Sequence, residues 1–425
     1  MKILKQIYRI ISPESDFTKN FFILFRGTLI AQIIPVLLMP VLTRIYGPED
    51  FGVFELFLSI TVIFGSIANA RYELSVVLPD RKADAWNIMG LGVILSFFFS
   101  LLLLLVVSFF ADGIARLLNN SEIKFWLIFV PAAVFVEGVF NMLSYYHTRE
   151  RHFKRIAGAS ISRAGGRTGL QILIGILHAS AAGLIIGQIF GFIAAILSLI
   201  RKMKIGIMLK KINWIDMKRV AVKYKDFPKF TLPATLANSL AVNLTSIMIS
   251  TMYNIASVGF YSLANRILAL PGSLIGKSMS NVYFKEAIDQ RKQYGHAKNV
   301  FFSTIKKLVL LSFPIFLIVF LFAESLFTFV FGEEWSVSGE YARIIIPLLF
   351  VRFVFAPISV SVSVFERQKV SLFLQLGLLF LSLFVFGLSW FLSWDIQQFL
   401  TTMVAILSVY YLFFIFILYR IVSGK

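Results

Sequence analysis

Six cations lie in this sequence where hydrocarbon should surround them. Arg26, Arg163, Arg167, Arg266, Lys277 and Arg352 all fall inside apolar segments long enough to cross a bilayer. Glu137 is the one carboxylate read at comparable depth, as an ion-pair partner or a coupling-ion residue. A charge at the bilayer centre costs roughly 2.5–3.5 kcal/mol on insertion scales, so such residues face a bundle interior or a wet cavity. One acid cannot neutralise six cations. The chemistry this offers is anion recognition, because a guanidinium stays ionised and grips phosphate or carboxylate oxygens through parallel hydrogen bonds.

Spacing groups these cations on helix faces. Arg163 and Arg167 are four apart and share one face of a helix. Arg266 and Lys277 are eleven apart, which returns them to nearly one stripe, with Asn265 beside the first. Arg26 and Arg44, eighteen apart, share a face unless Pro35 and Pro40 bend the helix between them. The competing reading is snorkelling to the interface, open to Arg26, Arg163 and Lys277 near helix ends. Arg167, Arg266 and Arg352 are further from either end. Arg44, and Arg71 with Glu73, are loop residues or cavity-mouth residues.

Other chemistries find no residues. Cysteine is absent, which removes disulfides, thiolate nucleophiles and Cys-based metal sites. The four histidines, His147, His152, His178 and His296, have no ligand spacing, so no metal site is expected. The Gly-rich stretch Gly158–Gly169 lacks a strand and a phosphate-loop pattern, and close helix packing explains its small residues better. With no Walker sequence and no cofactor motif, transport would be driven by a gradient (protons or Na⁺), by mass action or by a partner. No compact filter motif suggests a channel.

The elements that must position these residues are membrane helices. Of 425 residues, 58% are hydrophobic and only 15% charged, too apolar for a soluble chain. Apolar runs predict twelve spans near 20–43, 51–70, 86–110, 125–146, 157–177, 181–200, 230–252, 257–281, 304–331, 341–364, 370–393 and 398–420. Residues 1–19 read as an amphipathic cytoplasmic segment, not a cleaved leader. With both termini inside, 31 of the 41 lysines and arginines fall on the cytoplasmic side. The outer loops keep only Arg44, Arg116, Lys124 and Arg343. That bias follows the positive-inside rule, so the net charge of +19 reports topology and not nucleic acid.

A basic linker, 201–229, divides a first six-helix bundle (20–200) from a second (230–425). A weak repeat follows that division. Tyr46, Gly52 and Phe54 recur as Tyr253, Gly259 and Tyr261 at an offset of 207. Phe110-Ala-Asp112 recurs as Phe322-Ala-Glu324, Pro131 as Pro347, and Glu150-Arg151 as Glu366-Arg367. Each half also opens on a proline-interrupted span, with Gly27, Pro35 and Pro40 in the first and Pro228 and Pro233 in the seventh. Interrupted helices at corresponding positions are a pointer to a transport site.

Two stretches carry a resemblance to a known family. LLMPVLTRIYGPEDFGVFELFLSI, from span 1 into span 2, resembles the opening hallmark of bacterial Wzx-type polysaccharide (O-antigen) repeat-unit flippases of the multidrug/oligosaccharidyl-lipid/polysaccharide (MOP) exporter superfamily. VGFYSLANRILALPGSLIGKSM in span 8 is similar to the corresponding stretch of that branch and, more distantly, of lipid II flippases. The resemblance implies two pseudo-symmetric six-helix bundles around a V-shaped cleft, in a bacterial inner membrane. It implies an undecaprenyl-pyrophosphate-linked oligosaccharide as substrate, for O-antigen, capsule or exopolysaccharide, turned from the inner to the outer leaflet, with a cationic cleft that binds its pyrophosphate or acidic sugars. Polymerase and chain-length proteins of the same pathway would be its partners. Arg26 and Arg266 match positions where relatives place cavity arginines; Arg163, Arg167, Lys277 and Arg352 rest on the residues alone. A multidrug or cation antiporter would want an acidic cleft, a lipid II flippase extra terminal spans, and a polymerase a large outer loop.

Overall fold

The computed structural model describes residues 16–201 and 203–424; its side chains are described from Arg26 onward, except at 277, 278, 368 and 372. Residues 1–15 of the expected amphipathic segment lie outside the described residues. Helix accounts for nearly all of the chain, and no strand occurs among the described residues. Nine helices there are long and apolar enough to cross a membrane, which makes this a multi-pass membrane protein. The nine match expected spans 1, 3, 4, 6, 7 and 9–12. The polar seventh span is among them, at Phe227–Met252.

The chain folds into two compact units. The first takes residues up to Tyr46, then Phe57–Arg116 and Ser121–Leu236. The second takes Gly47–Leu56, Leu117–Asn120 and Ala237–Lys425.

The first unit holds α1 (Asp16–Leu37), α2 (Met39–Ile45), the C-terminal part of α3 (Pro48–Gly65) and a 3₁₀ turn over Tyr72–Val77. It continues with α4 (Lys82–Leu117), α5 (Ile123–Leu127), α6 (Val130–Arg149), α7 (Phe153–Leu177) and α8 (Ala181–Ile200). Span 1 is interrupted at Leu38, two residues before Pro40, so Arg26 and Arg44 sit on separate helices and share no continuous face.

The tightest helix pair in this unit is α7 against α8, and glycine makes it. Gly183, Gly187 and Gly191 recur every fourth residue, the small-residue stripe that lets membrane helices approach closely. A methyl group at Gly187 would meet the Arg167 carbonyl at 2.9 Å, and one at Gly191 the Arg163 carbonyl at 2.8 Å. The expected packing glycines of 158–169 behave differently. Gly158, Gly165 and Gly169 have no neighbour within 4 Å, and only Gly166 approaches a partner helix, at Ala194.

The basic segment after span 6 is folded, as α9 (Ile205–Leu209) and α10 (Trp214–Lys223). Met217 and Val220 are buried, and Tyr72 donates to the Ala221 carbonyl at 3.0 Å. Arg219 pairs with Asp84 at 2.6 Å, and Asn213 caps α10 while its own amide N–H donates to Asn87.

The second unit comprises the N-terminal part of α3, α11 (Leu232–Met252), α12 (Ile255–Leu268), α13 (Leu270–Tyr294) and α14 (Lys298–Phe331). It ends with α15 (Ser336–Ile358), α16 (Ser361–Val364), α17 (Gln368–Leu392) and α18 (Ile396–Val422). α15 is its central post, packed by α12, α13, α14 and α18. Expected span 8 is two helices. The break falls at Ala269 ahead of Pro271, which has no N–H for the Ile267 carbonyl, so Arg266 and Lys277 do not lie on one unbroken stripe.

The repeat seen in the sequence lands on matching joints. Gly52 and Gly259 form a reciprocal crossing where α3 meets α12. A methyl at Gly52 would lie 2.0 Å from the Ile255 carbonyl oxygen, and one at Gly259 would lie 1.9 Å from that of Pro48. Pro48 and Ile255 occupy the same place in the repeat, so each half offers its glycine to the other's carbonyl. Tyr46 donates to the Gln171 carbonyl on α7, and Tyr253 to the Trp394 and Asp395 carbonyls between α17 and α18. Asp112 pairs with Lys124 and Glu324 with Arg343, each across the turn that follows a long helix. Glu150 holds Lys82, and Glu366 holds Arg291. Burial opposes ionisation of Glu150, but Lys82 and Arg149 outweigh it and hold its carboxyl below the usual range.

Candidate functional site

A cavity of about 470 Å³ opens inside the second unit. α11 contributes Asn238 and Thr245, α12 contributes Tyr261 and Asn265, and α15 contributes Arg352 and Phe353. Gln375 and Ser382 reach it from α17, and Tyr411 from α18. Ala269 and Gly272 line it too, so the interruption between α12 and α13 borders the cavity, as irregular membrane backbone does at transport sites.

Among the described residues, Arg352 is the only charged one on this wall. It rides on α15, between Pro347 and Pro357, and is half-buried. Among the described residues it has no hydrogen-bond or carboxylate partner; its electrostatic neighbour is the buried Tyr261, whose hydroxyl bonds Thr245. The side-chain amides of Asn238, Asn265 and Gln375 also make no hydrogen bond among the described residues. With one guanidinium, three open amides and no carboxylate among its described residues, the cavity favours an anionic guest that also carries hydrogen-bonding groups.

Arg266 has a different setting. Its Nη2 donates to Glu55 Oε2 at 3.0 Å, its guanidinium lies 5.7 Å from the Phe54 ring centre, and Ser246 donates to Glu55 Oε1 at 3.4 Å. The pair is partly buried, with side-chain exposures of 29% for Arg266 and 18% for Glu55. Glu137 is therefore not the sole deep carboxylate. Glu55 escaped notice because it sits five residues into an expected span, where a charge reads as interfacial. The tight crossing at Gly52 packs that helix start, so the carboxylate lies among side chains. Lys277 falls in α13, and its side chain lies outside the described residues.

The first unit gathers its own charges. Arg163 stacks over Phe192 at 3.7 Å and lies 5.4 Å from the Phe140 ring centre, close enough to Glu137 for their charges to interact. Glu137 packs onto Gly65, filling the space that a side chain there would need. Arg167 donates to Gln188 at 3.4 Å. Arg26 is exposed on α1, and Arg44 is exposed and bonds back to the Pro40 carbonyl at 2.8 Å. Arg71 pairs with Glu73 at 2.8 Å in a left-handed turn, φ 65°, an arrangement that serves the chain reversal after α3. Burial pushes the Glu73 carboxyl up despite that partner. His147 and His152 face each other at 3.3 Å, and no metal-binding cluster occurs among the described residues.

Known proteins share both sequence and fold with this chain. It is 21% identical over 321 residues to the succinoglycan biosynthesis transport protein ExoT of Rhizobium meliloti (strain 1021), covering 70% of this chain and 59% of that protein. It is 25% identical over 185 residues to the teichuronic acid biosynthesis protein TuaB of Bacillus subtilis (strain 168), covering 43% and 38%. The matches thus span about two fifths to three fifths of those relatives. In fold, the lipid II flippase MurJ in an inward closed conformation superposes with TM-score 0.71 at 13% identity, over 94% of this chain and 86% of that one. An inward-facing multidrug resistance MATE transporter of the MOP superfamily gives 0.66 at 15%, over 92% and 99%. The model of the family described as "Polysaccharide biosynthesis protein" matches residues 41–340, a stretch running from the α2 end through the Gly52–Gly259 crossing and the Glu55–Arg266 pair into α15. The chain belongs to the polysaccharide biosynthesis protein family.

Proposed function

We propose that this protein carries an undecaprenyl-pyrophosphate-linked oligosaccharide repeat unit across a bacterial inner membrane, from the cytoplasmic to the outer leaflet, by alternating access. The observation that carries this reading is Arg352, a membrane-embedded cation that lines a cavity with no carboxylate among the described residues. An embedded cation in such a setting marks a substrate path, and its missing counter-charge suits a substrate that brings its own. Family membership in polysaccharide biosynthesis narrows that anion to a lipid-linked glycan. Arg266 and Arg163, by contrast, are largely answered by Glu55 and Glu137. A proton or Na⁺ gradient is the proposed driving force, with Glu137 as the coupling-ion residue.

Loss of the protein should abolish surface polysaccharide in its host and cause lipid-linked repeat units to accumulate. Wild type should restore both. Arg352→Ala, matched for membrane expression, should restore no more than about a tenth of the polysaccharide, corresponding to about 1.4 kcal/mol of lost recognition. Full restoration by Arg352→Ala would remove the cavity cation from the mechanism, and unchanged polysaccharide in the deletion would remove the function.

A further inference from the structure

Between Arg201 and Lys229 the chain carries ten lysines and arginines against two acids, Asp216 and Asp226. The fold adds an apolar stripe to that charge. The start of α4 holds α10 in one rotation: Met217 and Val220 are buried, Arg219 reaches Asp84, and Asn87 donates to the Lys211 carbonyl at 3.2 Å. At about 100° per residue the helix then divides into three sectors. Met217 and Val220 face the protein, with Ala221 beside them. Asp216, Arg219 and Lys223 form a polar sector. Trp214, Lys218 and Val222 recur every fourth residue and, with Ile215, make the third. Among the described residues nothing covers it, since Trp214 is 69% exposed, Ile215 81% and Val222 60%. Ile207 and Leu209 on α9 are exposed as well. Exposed apolar side chains scattered singly need no explanation, but a stripe of them on a helix of fixed rotation does.

The level of α10 along α4 indicates what lies beside that stripe. α4 runs for 36 residues, about 54 Å, against about 30 Å of hydrocarbon in a bilayer. Sharing the excess between its ends leaves about 12 Å outside the hydrocarbon, a length that runs from Lys82 to near Gly90. Ile212, two residues before α10, packs on Gly90, where a methyl group would meet its side chain at 3.0 Å. α10 therefore sits where headgroups meet hydrocarbon, the depth that suits tryptophan and lets lysine extend to phosphate. Lys210, Lys211 and Lys218 are exposed and pair with no carboxylate among the described residues. Their sign complements an anionic lipid surface. An acidic protein would match that sign too, but a handful of apolar side chains falls well short of the 20–30 residues a side of about a standard protein interface.

We propose that α9 and α10 form a docking surface for anionic phospholipid of the cytoplasmic leaflet. Trp214, Ile215 and Val222 enter the interface, and Lys210, Lys211 and Lys218 hold headgroup phosphates. The first unit is thereby tied to that leaflet whatever cargo the protein carries.

The chain has no cysteine, so a single introduced one reports on its own position. The test uses full-length Val222→Cys and Lys223→Cys, each labelled with the environment-sensitive fluorophore NBD. Both are reconstituted in phosphatidylethanolamine liposomes containing either phosphatidylglycerol or phosphatidylcholine. On Val222→Cys the label should emit from an apolar setting, and spin-labelled phosphatidylglycerol should quench it at least about fivefold more effectively than spin-labelled phosphatidylcholine. On Lys223→Cys, the next residue but in the polar sector, it should read as water-exposed. Lys210→Gln, Lys211→Gln and Lys218→Gln together should bring the two lipids to parity. Raising NaCl should erode the preference without any substitution, a second arm should the triple variant fold poorly. Water-like emission from Val222→Cys in anionic liposomes, or equal quenching by the two lipids, would overturn the proposal. So would apolar emission that neither lipid quenches, which would mean that protein, such as a second copy of the chain, covers the stripe. Loss of the preference on adding inorganic phosphate at constant ionic strength would assign the lysines to a free anion and overturn it too.

Discussion

Glu55→Ala should destabilise the protein by about 2–3 kcal/mol, because it leaves Arg266 as a half-buried cation beside Phe54 with no carboxylate to answer it. The full penalty of a broken buried pair is about 3–5 kcal/mol, and the remaining exposure of both partners reduces it. Ser246 loses its acceptor as well. The pair joins α3 to α12 across 211 positions of sequence, so the loss should appear as lower Tm in detergent and less folded protein in the membrane. Arg266→Gln alone should be similarly harmful. The double variant Glu55→Gln, Arg266→Gln should recover most of the loss, since two neutral amides can bond each other without a stranded charge. Additive single effects would mean that the two groups do not interact.

The second large effect is expected at the reciprocal glycines. A single methyl at Gly259 must displace the Pro48 carbonyl, and one at Gly52 the Ile255 carbonyl, and backbone cannot swing aside as a side chain can. Overpacking a core costs about 1–3 kcal/mol where side chains can adjust. Here the helices themselves must part, so Gly259→Ala should reach the upper end of that range and Gly259→Val should prevent accumulation of folded protein. Gly52→Ala should behave like Gly259→Ala, and the double variant should cost less than the sum, because one displacement relieves both contacts. Gly158→Ala is the matched control, in a helix with nothing within 4 Å, and should be neutral or mildly stabilising. Fluorescence-detected size exclusion of the set reads all of these. A fully stable Gly259→Ala would contradict the crossing.

The helical elements and the repeat are legible in the sequence. The charge bias follows from a rule about translocation and needs no tertiary information, and the four repeat matches are local strings whose spacing survives divergence. Three of the four land on matching joints, with glycine at a carbonyl crossing, tyrosine at a helix-pair anchor and carboxylate at a turn, whereas Pro131 opens α6 and Pro347 lies inside α15. Glu55 was not legible, because hydropathy along the chain cannot distinguish a carboxylate at a membrane surface from one enclosed by packing at a helix start. Gly183, Gly187 and Gly191 carry a readable four-residue period, but density of glycine does not report packing, and most of the denser glycines of α7 face open space. Pro271 signalled the break in span 8. The cavity beside it required seven helices to be placed together, and no single stretch of sequence contains that.

Reconstitution decides whether these parts make a carrier. Purified protein in liposomes containing an undecaprenyl-pyrophosphate-linked oligosaccharide on both leaflets should expose the inner-leaflet glycan to an impermeant glycan-modifying enzyme added outside. Modification should rise from about one half towards completion with wild type, and about tenfold more slowly with Arg352→Ala. Modification that stays at about one half, as in protein-free liposomes, would mean that the chain does not turn this lipid over.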